Sequence, residues 1–121
     1  MDFSDALASK LTFAAIKNKD GKFVPPTLDG ASAAVAGATV KDDLTYDPLD
    51  APGAQSYPIT SPTYILARTN YSDAKKGEGV KAFLHWLLTD GQQYAAPVNY
   101  AKLPAPLQQK AVAQIDKITG A

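Results

Sequence analysis

Thr63-Tyr64-Ile65-Leu66-Ala67-Arg68 is a β-branched and aromatic run, and the stretch Asp73 to Asp90 that follows it has a helical period. Val80, Phe83, Leu84, Leu87 and Leu88 recur at spacings of three and four, which predicts a helix from about Asp73 to Asp90 with Gly91 as its C-cap. Upstream, Pro58 and Pro62 remove backbone donors, so the entry from Tyr57 predicts an edge or irregular start, and the regular strand is expected over Thr63–Arg68. A strand leading into a helix of this kind belongs to an α/β arrangement.

The same alternation extends outward in both directions. Toward the N-terminus, Phe3 to Lys10 predicts a short helix with Ser4 as cap, and Leu11 to Ile16 reads as a strand. The polar run Lys17-Asn18-Lys19-Asp20-Gly21-Lys22 then supplies a turn before Phe23-Val24 resumes. Pro25-Pro26 stops that segment, and Thr27 caps an alanine-rich helix expected from Leu28 to Ala38, with Gly37 near its end. Thr39 to Tyr57 holds Pro48, Pro52, Gly53 and four aspartates without periodicity, and predicts a long surface loop. Toward the C-terminus, the prolines of Leu103-Pro104-Ala105-Pro106 mark a helix start, and Leu107, Ala111, Ile115 and Ile118 form one face ending at Thr119-Gly120.

Composition narrows the function classes. At 121 residues, with 45% hydrophobic and 20% charged side chains, the chain is one domain's worth of soluble, globular sequence. Twelve Lys and Arg balance twelve Asp and Glu, so no overall field draws nucleic acid or an anionic membrane. The absence of cysteine removes disulfides, thiolate metal sites and Cys nucleophiles. Every apolar stretch is interrupted well before the roughly 20 residues of a membrane span. The acidic start Met1-Asp2-Phe3-Ser4-Asp5 has neither the basic nor the apolar region of a secretory signal.

Candidate chemistry is sparse. His85 is the single histidine and has no neighbouring ligands for a metal. Ser4, Ser9, Ser32, Ser56, Ser61 and Ser72 all lie outside a nucleophile-elbow context, which argues against a Ser-His-Asp enzyme. Asp42, Asp43, Asp47 and Asp50 offer the oxygen ligands calcium needs, but without EF-hand spacing, central glycine or terminal glutamate they read as a solvated loop. Lys76-Gly77-Glu78-Gly79-Val80-Lys81 holds a Gly-x-Gly near a helix start, where Glu78 opposes a phosphate. The tyrosines at 46, 57, 64, 71, 94 and 100 and Trp86 lack the regular spacing and basic neighbours of a nucleic-acid module.

Several separated segments together carry a resemblance. They are Leu11-Thr12-Phe13-Ala14-Ala15-Ile16-Lys17-Asn18-Lys19-Asp20-Gly21-Lys22-Phe23-Val24-Pro25-Pro26-Thr27, Tyr57-Pro58-Ile59-Thr60-Ser61-Pro62-Thr63-Tyr64-Ile65-Leu66, Val80-Lys81-Ala82-Phe83-Leu84-His85-Trp86, Thr89-Asp90-Gly91-Gln92 and Tyr100-Ala101-Lys102-Leu103-Pro104. In order and spacing, roughly residues 10–119 resemble the C-terminal part of the phosphate-binding proteins of bacterial phosphate ABC transporters.

The resemblance implies a partial periplasmic-binding-protein fold of α/β type (type II-like), with portions of both lobes. Residues 1–57 would belong to the second lobe and 58–121 to the first, with Tyr57, Pro58, Ile59 and Thr60 as the hinge crossing; a few extended residues there can absorb lobe rotation. It further implies a binding component and no enzyme, inorganic phosphate as ligand once the site is completed, an ABC transporter permease as partner, no cofactor or metal, and a periplasmic or cell-surface location.

Three departures limit what it carries. The family's Ser-Gly-Thr phosphate motif is absent, the single arginine Arg68 does not match the family's phosphate arginine, and no ligand residue carries over. Met1–Lys10 departs from the family pattern and reads as a new start or a junction. In the family, strands partly absent here cover the apolar face of the helix over Asp73–Asp90, which predicts self-association. The alternative reading is a non-binding fragment or self-associating scaffold.

Overall fold

The computed structural model describes residues 2–119; Met1, Gly120 and Ala121, with the expected helix stop at Gly120, lie outside the described residues. Four helices and one small strand pair make up the chain, a mixed arrangement of helix and sheet: α1 (Phe3–Ala8), β1 (Ile16–Lys17), β2 (Phe23–Val24), α2 (Leu28–Gly37), α3 (Ala74–Leu88) and α4 (Ala105–Ile115). Short 3-10 turns at Asp90–Tyr94 and Ala96–Val98 link α3 to α4.

The hairpin is shorter than the sequence suggests. Antiparallel pairing joins Ile16 to Val24 and Lys17 to Phe23, while Leu11 to Ala15 have no strand partner among the described residues. Continued in this register, Ala15 would face Pro25 in a non-hydrogen-bonded pair and Ala14 would face Pro26, whose ring nitrogen has no proton to give, so the ladder stops there. Gly21 adopts φ +77° in the connecting turn, a conformation that favours glycine.

α2 starts as expected. The Thr27 hydroxyl accepts from the Gly30 N–H at 3.0 Å and satisfies one of the free donors of the first turn. Gly37 ends the helix where the Pro52 carbonyl passes so close that any side chain would collide with it, which fixes loop 38–60 against the end of α2. The N-cap of α1 is Asp2, two residues before the expected Ser4.

Two further expectations are corrected. Thr63–Arg68 forms no strand: the segment is irregular and exposed, and among the described residues it makes no backbone–backbone hydrogen bond. Strand propensity expresses fit to a pleated surface, and here no neighbouring strand supplies one. Gly91 does not cap α3. Thr89 takes that place and the chain tightens into the 3-10 turn, while Gly91 packs against the Trp86 ring and carbonyl, where a Cβ would stand 3.0 Å from the Trp86 oxygen.

α4 buries the face read from sequence. Leu107, Ala111, Ile115 and, just beyond the helix, Ile118 are all buried. α3 packs on α4, and the Gln108 amide donates to the Leu88 carbonyl at the α3 terminus. The remaining buried apolar residues, Ala6, Val24, Ala34 and Ala51, are mostly small, so the core is thin. No helix among the described residues is long and apolar enough to cross a membrane.

Candidate functional site

The most organised part of the surface surrounds the segment that joins α2 to the exposed stretch. Asn18 is buried behind the hairpin turn. Its side-chain oxygen accepts from the Lys22 N–H at 2.9 Å and closes the turn, while its amide donates to the carbonyls of Gly53 and Ala54 at 3.1 Å and of Ser56 at 3.2 Å. One side chain thus ties β1 to a loop more than 30 positions away. Sequence reasoning took Asn18 as ordinary turn chemistry; only its three-dimensional neighbours reveal the second role.

The four residues expected as a hinge follow at once. The Tyr57 N–H donates to the Gly30 carbonyl at 3.0 Å, the Asp50 N–H to the Pro58 carbonyl at 2.9 Å, and the Thr60 hydroxyl to the Tyr57 carbonyl at 2.8 Å. Pro58 and Thr60 are buried between exposed neighbours Ile59 and Ser61. Backbone–backbone hydrogen bonds thus reach Pro58 and, among the described residues, resume at Thr69.

A cavity of about 500 Å³ opens beside this segment, lined by the end of α2 and the loop that follows it, with Lys19 and Lys41 as its cations and Asp47 and Asp50 as its anions. The two signs balance, so no single ionic class is favoured. Asp47 accepts from the Leu49 N–H, and Asp43 accepts from the hydroxyl and N–H of Thr45 at 2.6 and 2.9 Å. Those bonds hold the Asp43 carboxyl below its ordinary range. Asp42 faces solvent and meets Lys110 at 3.5 Å. The quartet shapes turns and does not converge: among the described residues no three His, Cys, Asp or Glu gather as a metal site would require.

The other sequence candidates also stay apart. His85 is exposed on α3, and its carbonyl accepts from the Thr89 hydroxyl. Lys76 to Lys81 lies inside α3, whose N-terminus is already occupied by the Asp73 carboxylate accepting from the Lys76 N–H at 3.2 Å. Arg68 lines a second cavity of about 390 Å³ with Leu66, Lys76 and Val80. Tyr46 and Tyr64 do meet, ring centroids 5.8 Å apart, and the Tyr64 hydroxyl bridges the N–H and carbonyl of Tyr46. Burial, and then the neighbouring Tyr64, pushes the Tyr46 phenol up from its ordinary value.

Chemically, this surface can orient backbone and present a shallow polar cavity; no nucleophile–base pair is assembled on it. Comparison with known proteins adds what geometry alone does not. The chain is similar to the phosphate-binding protein PstS of Methanocaldococcus jannaschii, 38% identical over 118 residues that cover 85% of this chain and 30% of that protein. It is similar to PstS3 of Mycobacterium bovis, 32% identical over 97% of this chain and 34% of that protein, and to PstS of Xylella fastidiosa, 28% identical over 88% and 30%. No family model matches the chain. The chain is thus a relative of the phosphate-binding proteins PstS, and it spans about 30% of the length of the curated relatives it matches.

Proposed function

We propose that this relative of the phosphate-binding proteins is the C-terminal part of a substrate-binding component for phosphate uptake by an ABC-type transporter, with its phosphate ligands supplied by receptor segments outside this sequence. The observation that carries the reading is the 38% identity to a phosphate-binding protein across 85% of the chain. The role is binding and not catalysis, with inorganic phosphate as ligand, a transporter permease as partner, and a periplasmic or cell-surface setting.

Within that reading, residues 1–57 belong to the second lobe, 58–121 to the first, and Tyr57, Pro58, Ile59 and Thr60 form the hinge between them. Backbone hydrogen bonds hold Tyr57 and Pro58, and among the described residues none is made from Ile59 to Arg68, a contrast that supports a pivot there. The mixed cavity beside α2 supports placing the phosphate site elsewhere, because its two lysines and two aspartates leave no net attraction for an anion.

Calorimetric titration separates this reading from a non-binding scaffold. The 121-residue chain alone is expected to give no saturable heat with phosphate or sulfate. Complexed with the preceding segment of the Methanocaldococcus jannaschii relative, it is expected to bind phosphate and leave sulfate unbound. A stable complex that ignores phosphate, or saturable binding by the chain alone, would overturn the proposal.

A further inference from the structure

The chain has three asparagines, at positions 18, 70 and 99, and each sits in a different setting. Asn18 is buried, with its amide spent on three carbonyls. Asn99 has Ala101 at the second position after it, which carries no hydroxyl. Asn70 stands in Asn70-Tyr71-Ser72, the Asn-x-Ser pattern that accepts a glycan on the amide nitrogen when x is not proline. An acceptor of that kind has to lie on a surface loop. Asn70 and Ser72 are both exposed, on the connection between residues 61–68 and α3. The Asn70 amide donates to the exposed Thr119 hydroxyl at 3.3 Å, a long bond that holds the reacting nitrogen weakly. The backbone beside it is held better: the Thr69 carbonyl accepts from the Thr119 N–H at 2.7 Å, and the Tyr71 N–H donates to the Thr119 carbonyl at 3.2 Å. The loop is therefore fixed in place while the asparagine side chain can turn out to a reagent.

Composition separates this loop from the segment before it. Thr69-Asn70-Tyr71-Ser72-Asp73 contains no aliphatic residue, whereas Ile65 and Leu66 lie a few positions earlier. A further part of a longer receptor that covered those two would find no aliphatic footing beyond Arg68, and a polar connection of this kind stays in solvent.

We propose that Asn70 is an N-glycosylation site, an assignment that rests on the periplasmic or cell-surface setting proposed above. The co-reactant is an oligosaccharide carried on a polyprenyl phosphate lipid, and the catalyst is a membrane-bound oligosaccharyltransferase. The Asn70 Nδ2 attacks the anomeric carbon of the first sugar. The bond from that carbon to the phosphate oxygen breaks, and the lipid phosphate leaves with the electron pair. Nδ2 gives up one proton and keeps the glycan through a new carbon–nitrogen bond, with no oxidation or reduction. An amide nitrogen is a weak nucleophile because its lone pair is shared with the carbonyl. The Ser72 hydroxyl gives the transferase a second group to hold while it orients that nitrogen.

Trypsin cuts after Arg68 and after Lys75, which isolates the site on the peptide 69–75. In the gene product recovered from the envelope of its source cells, mass spectrometry is expected to find that peptide heavier by whole sugar units. Asn70→Gln and Ser72→Ala should each abolish the added mass, and Ser72→Thr, which keeps the hydroxyl, should retain it. Helical circular dichroism should be the same in all three variants, since these side chains are exposed. In a second arm the purified 121-residue chain is incubated with membranes from the same cells, which tests Asn70 as an acceptor independently of export. Added mass on 69–75 in that arm, with the natural product found only in the cytoplasm, would support the acceptor and overturn the setting. An unmodified 69–75 peptide in envelope protein or in both arms, or added mass that survives Asn70→Gln, would overturn the inference.

Discussion

Residues 16–60 and residues 61–94 reach order by opposite routes. The first stretch has little regular structure beyond the hairpin and α2, yet Asn18, Ser56 and Thr60 are buried with their polar atoms bonded, and Pro48 is fully enclosed. The second contains the sequence with the strongest strand and helix signals, yet Leu66 and Phe83 stand in water. Regular propensity does not by itself place a segment, because a strand needs a neighbour to accept its hydrogen bonds and an amphipathic helix needs an apolar surface to cover. An irregular loop can be held firmly once each buried carbonyl has a donor.

The largest expected effect breaks that contrast at its strongest point. Asn18→Ala leaves the Gly53, Ala54 and Ser56 carbonyls without their shared donor and opens the hairpin turn. It should cost about 2–3 kcal/mol, the range for a buried group left unsatisfied. Leu66→Ala on the other side should change stability by less than about 0.5 kcal/mol, as exposed substitutions do. Urea unfolding of both variants checks the pair, and similar losses for the two would mean that 61–68 is anchored as firmly as the loop before it.

How much of this was legible in the sequence follows from the range of the forces involved. Thr27 as a cap, the extent of α2 and the buried face Leu107, Ala111, Ile115 and Ile118 were readable because each depends on neighbours within a turn or two. The strand expected over Thr63–Arg68 depended on a partner that local pattern does not reveal. Gly91 was given the cap because glycine favours helix ends, but packing against Trp86 claimed it for a different purpose. Among candidate functional residues, His85 is exposed on α3, and Asp43 and Asp47 hold local turns through their own neighbours. The Asn18 contacts span 35 positions or more and carried no local signal. Kinship with phosphate-binding proteins was legible because it rests on several short runs in order, and matches of 25–38% identity to such proteins agree with it.

A smaller effect sharpens the comparison at the two helix starts. Thr27 caps α2 inside the anchored region, and Asp73 caps α3 inside the exposed one, each by one side-chain bond to the N–H three residues on. Thr27→Ala and Asp73→Ala should each cost about 1 kcal/mol if the caps act locally. An excess for Thr27→Ala is expected, since the Gly30 peptide it holds also accepts, through the Gly30 carbonyl, from the Tyr57 N–H at 3.0 Å. Amide hydrogen exchange should show the α3 loss confined to its first turn and the α2 loss spreading to Tyr57, whose N–H is held by Gly30.

The smallest effect probes a joint at which the exposed segment reaches back to the anchored loop. Tyr64 places its hydroxyl on the backbone of Tyr46, and Tyr46 is the group whose ionisation reports the contact. Burial first, and the charge of an ionised Tyr64 second, raise the Tyr46 phenol above its ordinary 10.0. A raised value means that the folded chain holds the proton more tightly than the unfolded one, so this group's contribution is complete below pH 10.0 and is lost as pH climbs through the folded value. Ultraviolet titration of Tyr64→Phe should show Tyr46 ionising at lower pH than in the parent, yet still above 10.0, because the variant removes the second cause and leaves the larger one. A Tyr46 that titrates at its ordinary value in Tyr64→Phe would mean that the Tyr64 hydroxyl also keeps water from the loop, and that the exposed segment is held to the anchored region through that bridge.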